Sequence, residues 1–494
     1  MPGIEPRFNS ITKRFSSRDS LGIESVAASI SGELCPIVNT VTPRAFYWPF
    51  MCWIYYDFYK NSGIKERSVN AFDKPFLKRQ DYFFVLANLL ADNPDKNNLV
   101  GKQKTEKDML DNPSGPYPYN AEYFITRYGG MQYYNAGCLT MSLITDHNDE
   151  TGESFSFPKM TQYGEKMARE FEAVIQDTVY YRKYRLRNIP VPKDVLLEYA
   201  SIITLDMKNF PQCKELLKQY LFERNSRLTA CAQYALIIHS ITKTHAISLP
   251  AARHILYDYF SPLGDNHSFP EELNDTIRGW EIVIGRHYFC AGIEMIWKYM
   301  LNSLDHPMDL ISWSRTVVRA AKPILESYDT VDSLLKRCFF SYEEREKMVS
   351  SARHEKRREA TVTEGIQLAL SVYNRFKGRS DLGRDEAFLD YGMGRIPGTG
   401  GISINEWISL VDRFRKESIK SFLLFVIKEC IIEQHIRTCF EKITRSSQSI
   451  DGFYFEYVDG LYVKNEHEFQ IDFQGIRFIQ LMQVMNDLDM FGEE

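Results

Sequence analysis

Residues 275–304 read DTIRGWEIVIGRHYFCAGIEMIWKYMLNSL. This run reads as one long helix. It carries Gly279, Gly285 and Gly292, and the last two lie seven apart on one face. Glycine there lets another helix approach closely, at some cost in helix propensity. The surrounding text, from 192 to 345, is almost wholly helical. Gln212–Arg224, Arg227–Thr242 and Ala251–Phe260 are expected helices, and Ser341–Arg358 reads as a charged one.

On the N-terminal side, residues 1–20 read as a mobile polar arm. Asp19 and Ser20 are candidate caps for a helix ending at Leu34, with Ile23, Val26, Ala27, Ile30 and Leu34 at helical spacing. Pro36 stops it. An aromatic-rich helix is expected over Arg44–Lys60 and a third over Pro75–Ala91. The polar stretch 92–120 predicts a long loop, and a further helix is expected over Gln162–Tyr181. On the C-terminal side, the seven glycines of Gly378–Ser403 predict a loop. Glu406–Ile443 reads as a long helix bent near Ser418. The period then changes. Phe453 to Val458, then Asp459-Gly460, then Leu461 to Val463 is the signature of a two-residue hairpin. A last helix is expected over Gly475–Leu488. The fold class is therefore mainly α, with multi-helix bundle-like domains and a small C-terminal helix–β-hairpin–helix (winged-helix-like) module. The expected partition is an arm at 1–20, an aromatic-rich helical domain at 21–160, a central helical domain at 161–345, and a C-terminal domain at 346–494 with its hairpin at 453–463.

Composition bounds the function. The chain has 494 residues, is 44% apolar and 25% charged, and carries a net charge of −5. Those are globular values, and the acidic balance excludes a polycation that coats nucleic acid. Nine cysteines form no C-x-x-C and sit in apolar helical text, as buried thiols of a reducing compartment do. Phe46–Tyr59 and Phe422–Ile432 are the most apolar stretches. Both are too short or too polar to span a bilayer, and residues 1–20 lack the apolar core of a signal peptide. A cytoplasmic protein is expected.

Candidate chemistry is sparse. The glycine-rich stretch Arg395 to Ile402 lacks the lysine and hydroxyl of a phosphate-binding P-loop. Asp206-Met-Lys208, with Asp194 upstream and Glu198 between, has the residues of a restriction-type metal-dependent nuclease. That chemistry needs the D-x-K on a strand, which Ile202–Leu205 would supply, and D-x-K also arises by chance in a chain this long. His287 and Glu294 share a helical face near Glu281 and Arg286, either as an acid–base pair or as a satisfied polar cluster. His239, His245 and His254 lack regular ligand spacing.

Two basic clusters suit phosphate contact, a solvated face or a protein-partner patch. One is Arg182, Lys183, Arg185 and Arg187, interleaved with Tyr180, Tyr181 and Tyr184. The other is Arg353, Lys356 and Arg357, with Arg358 adjacent. The aromatic helix holds Phe46, Tyr47, Trp48, Phe50, Trp53, Tyr55, Tyr56, Phe58 and Tyr59, too many for one buried stripe. Part of it, with Arg44, Trp48 and Trp53, is expected to meet a partner protein.

Two motifs carry a resemblance. Leu21-Gly-Ile, Leu34-Cys-Pro36, Thr42-Pro-Arg-Ala-Phe-Tyr-Trp-Pro-Phe50 and Cys52-Trp53 form the first. Phe46 stands where an arginine is usual, and Pro49 is atypical. His435-Ile-Arg437, Lys442, Phe453-Tyr-Phe455, Asp459-Gly460, Ile476-Arg477, Leu481 and Asp487-Leu-Asp489 form the second. Its last three residues depart from a usual Asp-Leu-Gly. Both resemble accessory proteins of bacterial antiphage defence operons, Lamassu-like ones among them. The resemblance implies a non-catalytic adaptor that links a chromosome-maintenance-type ATPase and an effector nuclease; the basic clusters and the terminal module add DNA as a further candidate partner. It implies no catalytic residue, metal or cofactor. A metal-dependent nuclease using Asp194, Asp206 and Lys208, and a winged-helix DNA-binding regulator, are the alternatives.

Overall fold

A computed structural model of the chain describes residues 19–62, 69–123, 129–148, 151–259, 269–355, 357–380, 382, 402–445, 453–465, 468–471, 473, 475–492. The structure is mainly helical, and its strands form two antiparallel hairpins among the described residues. It divides into two compact units, both discontinuous in sequence. Unit 1 comprises residues 1–31, 253–268 and 277–475, and unit 2 comprises 32–252, 269–276 and 476–494. This is a different partition from the sequential one at 160 and 345. The arm expected at 1–20 lies outside the described residues except for Asp19 and Ser20.

Unit 1 is organised by the expected long helix, Asn274–Ser303. It is apolar on every side, so it can sit only in a core. Trp280, Ile284, Phe289, Ile293, Ile296, Trp297 and Met300 are all excluded from water. The glycines do what their spacing requires. A Cβ on Gly292 would lie 2.7 Å from the Gly365 carbonyl oxygen and 2.9 Å from the Ala369 nitrogen. A Cβ on Gly285 would run into the Phe376 ring. The Ala360–Phe376 helix therefore lies against the long helix with backbone nearly touching backbone.

The charges on the long helix are each answered. Glu281, fully buried, pairs with Arg375 at 2.8 Å and Arg379 at 2.5 Å. Arg286 donates to the carbonyls of Ile23, at 2.5 Å, and Ile402. Lys298 donates to the Ala352 and Arg353 carbonyls at 2.7 and 2.8 Å, placing its ammonium on the negative end of the Tyr342–His354 helix. Asp19 caps the N-terminal helix as its position suggested, accepting from the Ile23, Glu24 and Ser25 amides.

The expected helix over Glu406–Ile443 is broken where a bend was anticipated. Ile404–Phe414 ends, and Ser418 caps Ile419–Phe425 by accepting from the Ser421 amide at 3.1 Å. A π-helical stretch, Val426–Glu433, joins it to Gln434–Arg445. The hairpin follows, with β3 (Phe455–Val458) paired to β4 (Leu461–Lys464) around Asp459-Gly460. The last helix, Arg477–Asp487, comes next in the expected order. It belongs to unit 2, where it packs on Ser226–Thr242 with Phe478 5.5 Å from Tyr234.

Unit 2 is built around the aromatic helix, observed over Tyr47–Ser62. Pro49 falls in its first turn, where a missing N–H costs nothing. Phe46 stacks on Phe84 at 4.7 Å, Phe171 stacks on Phe210 at 4.5 Å, and Phe50 lies 4.9 Å from Phe84. The stretch expected to be a long loop contains a helix, Lys102–Asp111. Its polar text gives no apolar period to read. Tertiary contacts hold it: Thr105 is buried and Asp108 accepts from the Tyr82 hydroxyl at 3.0 Å. A second hairpin is formed by β1 (Ile144–His147) with β2 (Ser154–Met160). Gln162–Tyr181 is not one helix: Gln162–Ile175 ends, and a π-helical turn covers Tyr180–Tyr184.

Replacing Gly292 by Ala should destabilise unit 1 by about 1–3 kcal/mol, because neither facing backbone can recede without moving a helix. Equilibrium urea unfolding of Gly292→Ala beside Gly279→Ala measures it, and an unchanged midpoint for Gly292→Ala would contradict the close crossing.

Candidate interaction site

The residues singled out in the sequence are mostly occupied with the fold. Arg44, Trp48 and Trp53, expected to meet a partner, are 1%, 0% and 0% exposed. This corrects the expectation. The aromatic surplus is absorbed because rings from several elements surround the Tyr47–Ser62 helix, so more than one stripe of it is interior. Trp53 lies 5.8 Å from Phe50 and 5.7 Å from Phe171, and Trp48 lies 5.6 Å from Tyr134. Arg44 donates to Asp487 at 2.9 Å and pairs with Asp95 at 3.0 Å. Asp487 also accepts from the Ala45 amide at 2.9 Å. The arginine of the first motif and the aspartate of the last thus form one buried pair within unit 2.

The basic clusters are also largely spent. Arg185 pairs with buried Asp57 at 3.3 Å and lies over the Tyr181 ring at 3.8 Å. Arg182 pairs with Asp177, and Lys183 stays exposed. In unit 1, Arg353 donates to the Ile471 carbonyl at 3.0 Å and lies 4.8 Å from the Phe473 ring. Arg357 pairs with Asp305 at 3.2 Å, and Arg358 with Glu364 at 3.0 Å. Lys356 lies outside the described residues, as does the glycine-rich stretch Arg395 to Gly401.

Asp206 closes a local turn, accepting from the Thr204 hydroxyl at 2.5 Å and the Lys208 amide at 3.2 Å. The D-x-K is therefore on a turn, not the strand that nuclease chemistry needs, and Asp194 sits in the first turn of the Lys193–Ile202 helix. No cluster of three metal-ligating side chains occurs among the described residues. His287 is buried against Phe473 at 5.6 Å, and burial, with Arg253 and Arg286 beside it, pushes its pKa down to about 3. It is neutral at physiological pH and held in a polar core. All nine cysteines are buried free thiols. No helix among the described residues is long and apolar enough to cross a membrane.

Of the motifs singled out in the sequence, the unit 1 hairpin is turned outward. Asp459 and Gly460 take the left-handed conformation, with φ of 53° and 85°, as a two-residue turn between twisted strands demands. The hairpin is anchored at its base. Phe455 packs on Trp313 at 5.7 Å, His435 at 5.3 Å and Tyr462 at 5.1 Å. His435 ties the base down. Its Nε2 accepts from the Tyr454 amide at 3.2 Å, so Nδ1 carries the proton and donates to the Ser20 carbonyl at 2.9 Å.

The hydrogen-bonding edges of the two strands differ. Val458 and Leu461 face each other across the turn, so Glu456 and Val458 point their backbone groups at β4 and Phe455 and Tyr457 point theirs outward. On β4 Tyr462 and Lys464 point theirs outward, and Met308 takes both groups of Tyr462, at 3.0 and 2.7 Å. No described residue takes the outward groups of Tyr457 on β3. Tyr457 is 65% exposed and Val458 49%. An open strand edge beside exposed apolar side chains is a template for an added strand. The Asp-Gly signal gave this hairpin from sequence; which edge stays open depends on Met308, far away in the chain, and has no local signature.

Comparison with family models, with curated proteins and with solved structures finds no match for the chain.

Replacing Trp53 by Ala should cost about 3–5 kcal/mol of stability, as for a fully buried ring. Thermal melting checks it, and unchanged stability would restore a surface role. Buried carboxylates give a pH signature. Desolvation raises Asp57 and Asp487 to about 6, despite their arginine partners, and Asp81 to about 7, despite the Gly130 amide. Each folded-state value lies above the unfolded one near 4. The native state therefore binds the extra protons, and this contribution to stability is full below about pH 4 and lost as pH rises through about 6–7. Asp81→Asn should flatten the fall in melting temperature between pH 4 and 7; an unchanged slope would contradict the assignment.

Proposed function

We propose that the chain is a non-catalytic adaptor that docks partner proteins, in the manner of an accessory subunit linking a chromosome-maintenance-type ATPase to an effector nuclease in a bacterial antiphage defence complex. The observation that carries this reading is the open β3 edge. It offers the outward N–H and C=O of Tyr457, flanked by the exposed Tyr457 and Val458 side chains, on a hairpin whose base is locked by Phe455 and His435. Main-chain pairing gives such a contact its affinity, and the alternate side chains its selectivity. The side chains on the β3 edge would then select one extended segment of one partner. The resemblance of the terminal motifs supplies the identity of the partners. DNA contact through the two basic clusters is left out, because Arg182, Arg185 and Arg357 are paired with carboxylates.

The geometry provides a specific test. The Tyr457 N–H points away from β4, so Tyr457→Pro removes an outward donor without breaking the β3–β4 ladder. Co-expression with the products of neighbouring genes, followed by size-exclusion chromatography, should show a complex for the wild type. Tyr457→Pro should abolish it while circular dichroism and the melting temperature stay within error. A wild type that elutes alone, or a Tyr457→Pro complex that persists, overturns the reading.

A further inference from the structure

Unit 2 carries an open cavity of about 570 Å³, lined by Gln162, Tyr163, Glu165, Lys166, Arg169, Gln219, Tyr220 and Arg224. Two elements build it. The first is the Gln162–Ile175 helix, whose start is fixed by Thr161 accepting from the Gly164 amide at 3.2 Å. Gln162, Tyr163, Lys166 and Arg169 follow at helical spacing along one side of it. The second is a π-helical turn, Gln219–Glu223. An extra residue in a turn re-aims the side chains around it, and such turns recur at functional sites. Here the turn presents Gln219 and Tyr220, with Arg224 immediately after it.

The cations in this groove are not alike. Arg169 is closed by Glu165 at 2.6 Å. Arg224 has no carboxylate partner among the described residues. Its guanidinium carbon lies 4.0 Å from the centre of the Tyr163 ring and 4.8 Å from that of Tyr220, and the two rings stand 5.6 Å apart at 65°. The rings hold the guanidinium by cation–π contact, which uses none of its N–H donors. Lys166 is exposed and likewise has no carboxylate partner among the described residues. Three cations and one carboxylate give the groove a formal surplus of two positive charges, in a chain whose net charge is −5. Tyr163 is 41% exposed, so its ring is available to a second flat group.

We propose that this groove binds a nucleoside phosphate, either free or at the phosphorylated end of a single strand. Arg224 grips the phosphate as a planar fork, Lys166 adds a second positive charge, and the base stacks at the exposed Tyr163 ring. The Gln162 and Gln219 amides, each both donor and acceptor, line the groove where base edges would lie. The volume suits a mononucleotide, within the range of about 300–1,000 Å³ usual for small-ligand sites. The proposal does not rest on the adaptor reading, since every residue it uses lies in unit 2 and the hairpin lies in unit 1.

The test uses the full chain and two probes: ATP, by isothermal titration calorimetry, and a 5′-phosphorylated hexathymidylate labelled at its 3′ end, by fluorescence anisotropy. Saturable binding of at least one is expected. Arg224→Gln and Lys166→Gln should each weaken it on the order of tenfold, and affinity should fall as salt is raised. If ATP displaces the oligonucleotide, the free nucleotide is a sufficient ligand; if only the oligonucleotide binds, the strand end is the source. Lys166→Gln changes an exposed residue, so it remains informative if Arg224→Gln lowers the melting temperature. Saturation by neither probe, or affinities unchanged in both variants, overturns the proposal.

Discussion

Glu281 lies wholly out of water on a helix that is buried on every side, and its two arginine partners come from a different part of the chain. A buried charge is tolerable only when its partner is buried with it and in good geometry. The same requirement fixes Arg286 on two backbone carbonyls and Lys298 on the end of a neighbouring helix. Apolar packing would bring these helices together in several registers. The polar groups leave few of them satisfied, and the Gly292–Gly365 approach leaves fewer still. In unit 2 the Arg44–Asp487 pair plays the same part. It joins the segment before the aromatic helix to the last helix, and the Ala45 amide shares the same carboxylate oxygen.

The sequence made legible what depends on near neighbours. The long helix, its paired glycines, the cap at Asp19, the break at Ser418 and the Asp459-Gly460 hairpin are all local statements, and each is in the structure. The expectations that differed depended on distant residues. Lys102–Asp111 has no apolar period and folds because Tyr82 and a buried Thr105 hold it. The aromatic helix looked too rich for one core because the rings that surround it come from Phe84, Phe171 and Phe210, up to 164 residues away from Phe46. The partition into units could not be read at all, since it follows contacts between the two ends of the chain. Of the candidate sites, Arg182, Arg185 and Arg357 looked free only because Asp177, Asp57 and Asp305 were not visibly their partners.

Both outward-facing features arise where regular structure is interrupted. At the hairpin the left-handed pair Asp459-Gly460 sets the register, and the register decides that Tyr457 directs its backbone outward. At the groove a single π-helical turn sets the direction of Tyr220 and Arg224. Neither depends on a catalytic constellation. Each displays groups that no described residue takes up in a hydrogen bond, and unused directional groups held by a rigid base are what recognition requires.

The Arg44–Asp487 pair spans 443 positions of sequence. During synthesis the ribosome releases Arg44 long before Asp487 exists. Until then the aromatic helix has a buried-type arginine beside it without its main carboxylate, and the Ser226–Thr242 helix lacks the surface that Phe478 will cover. Unit 2 therefore cannot finish folding in the order in which it is translated. Its early half must wait, partly apolar and exposed, until residues 476–494 have been made, a window in which chaperone capture or aggregation competes with completion of the fold.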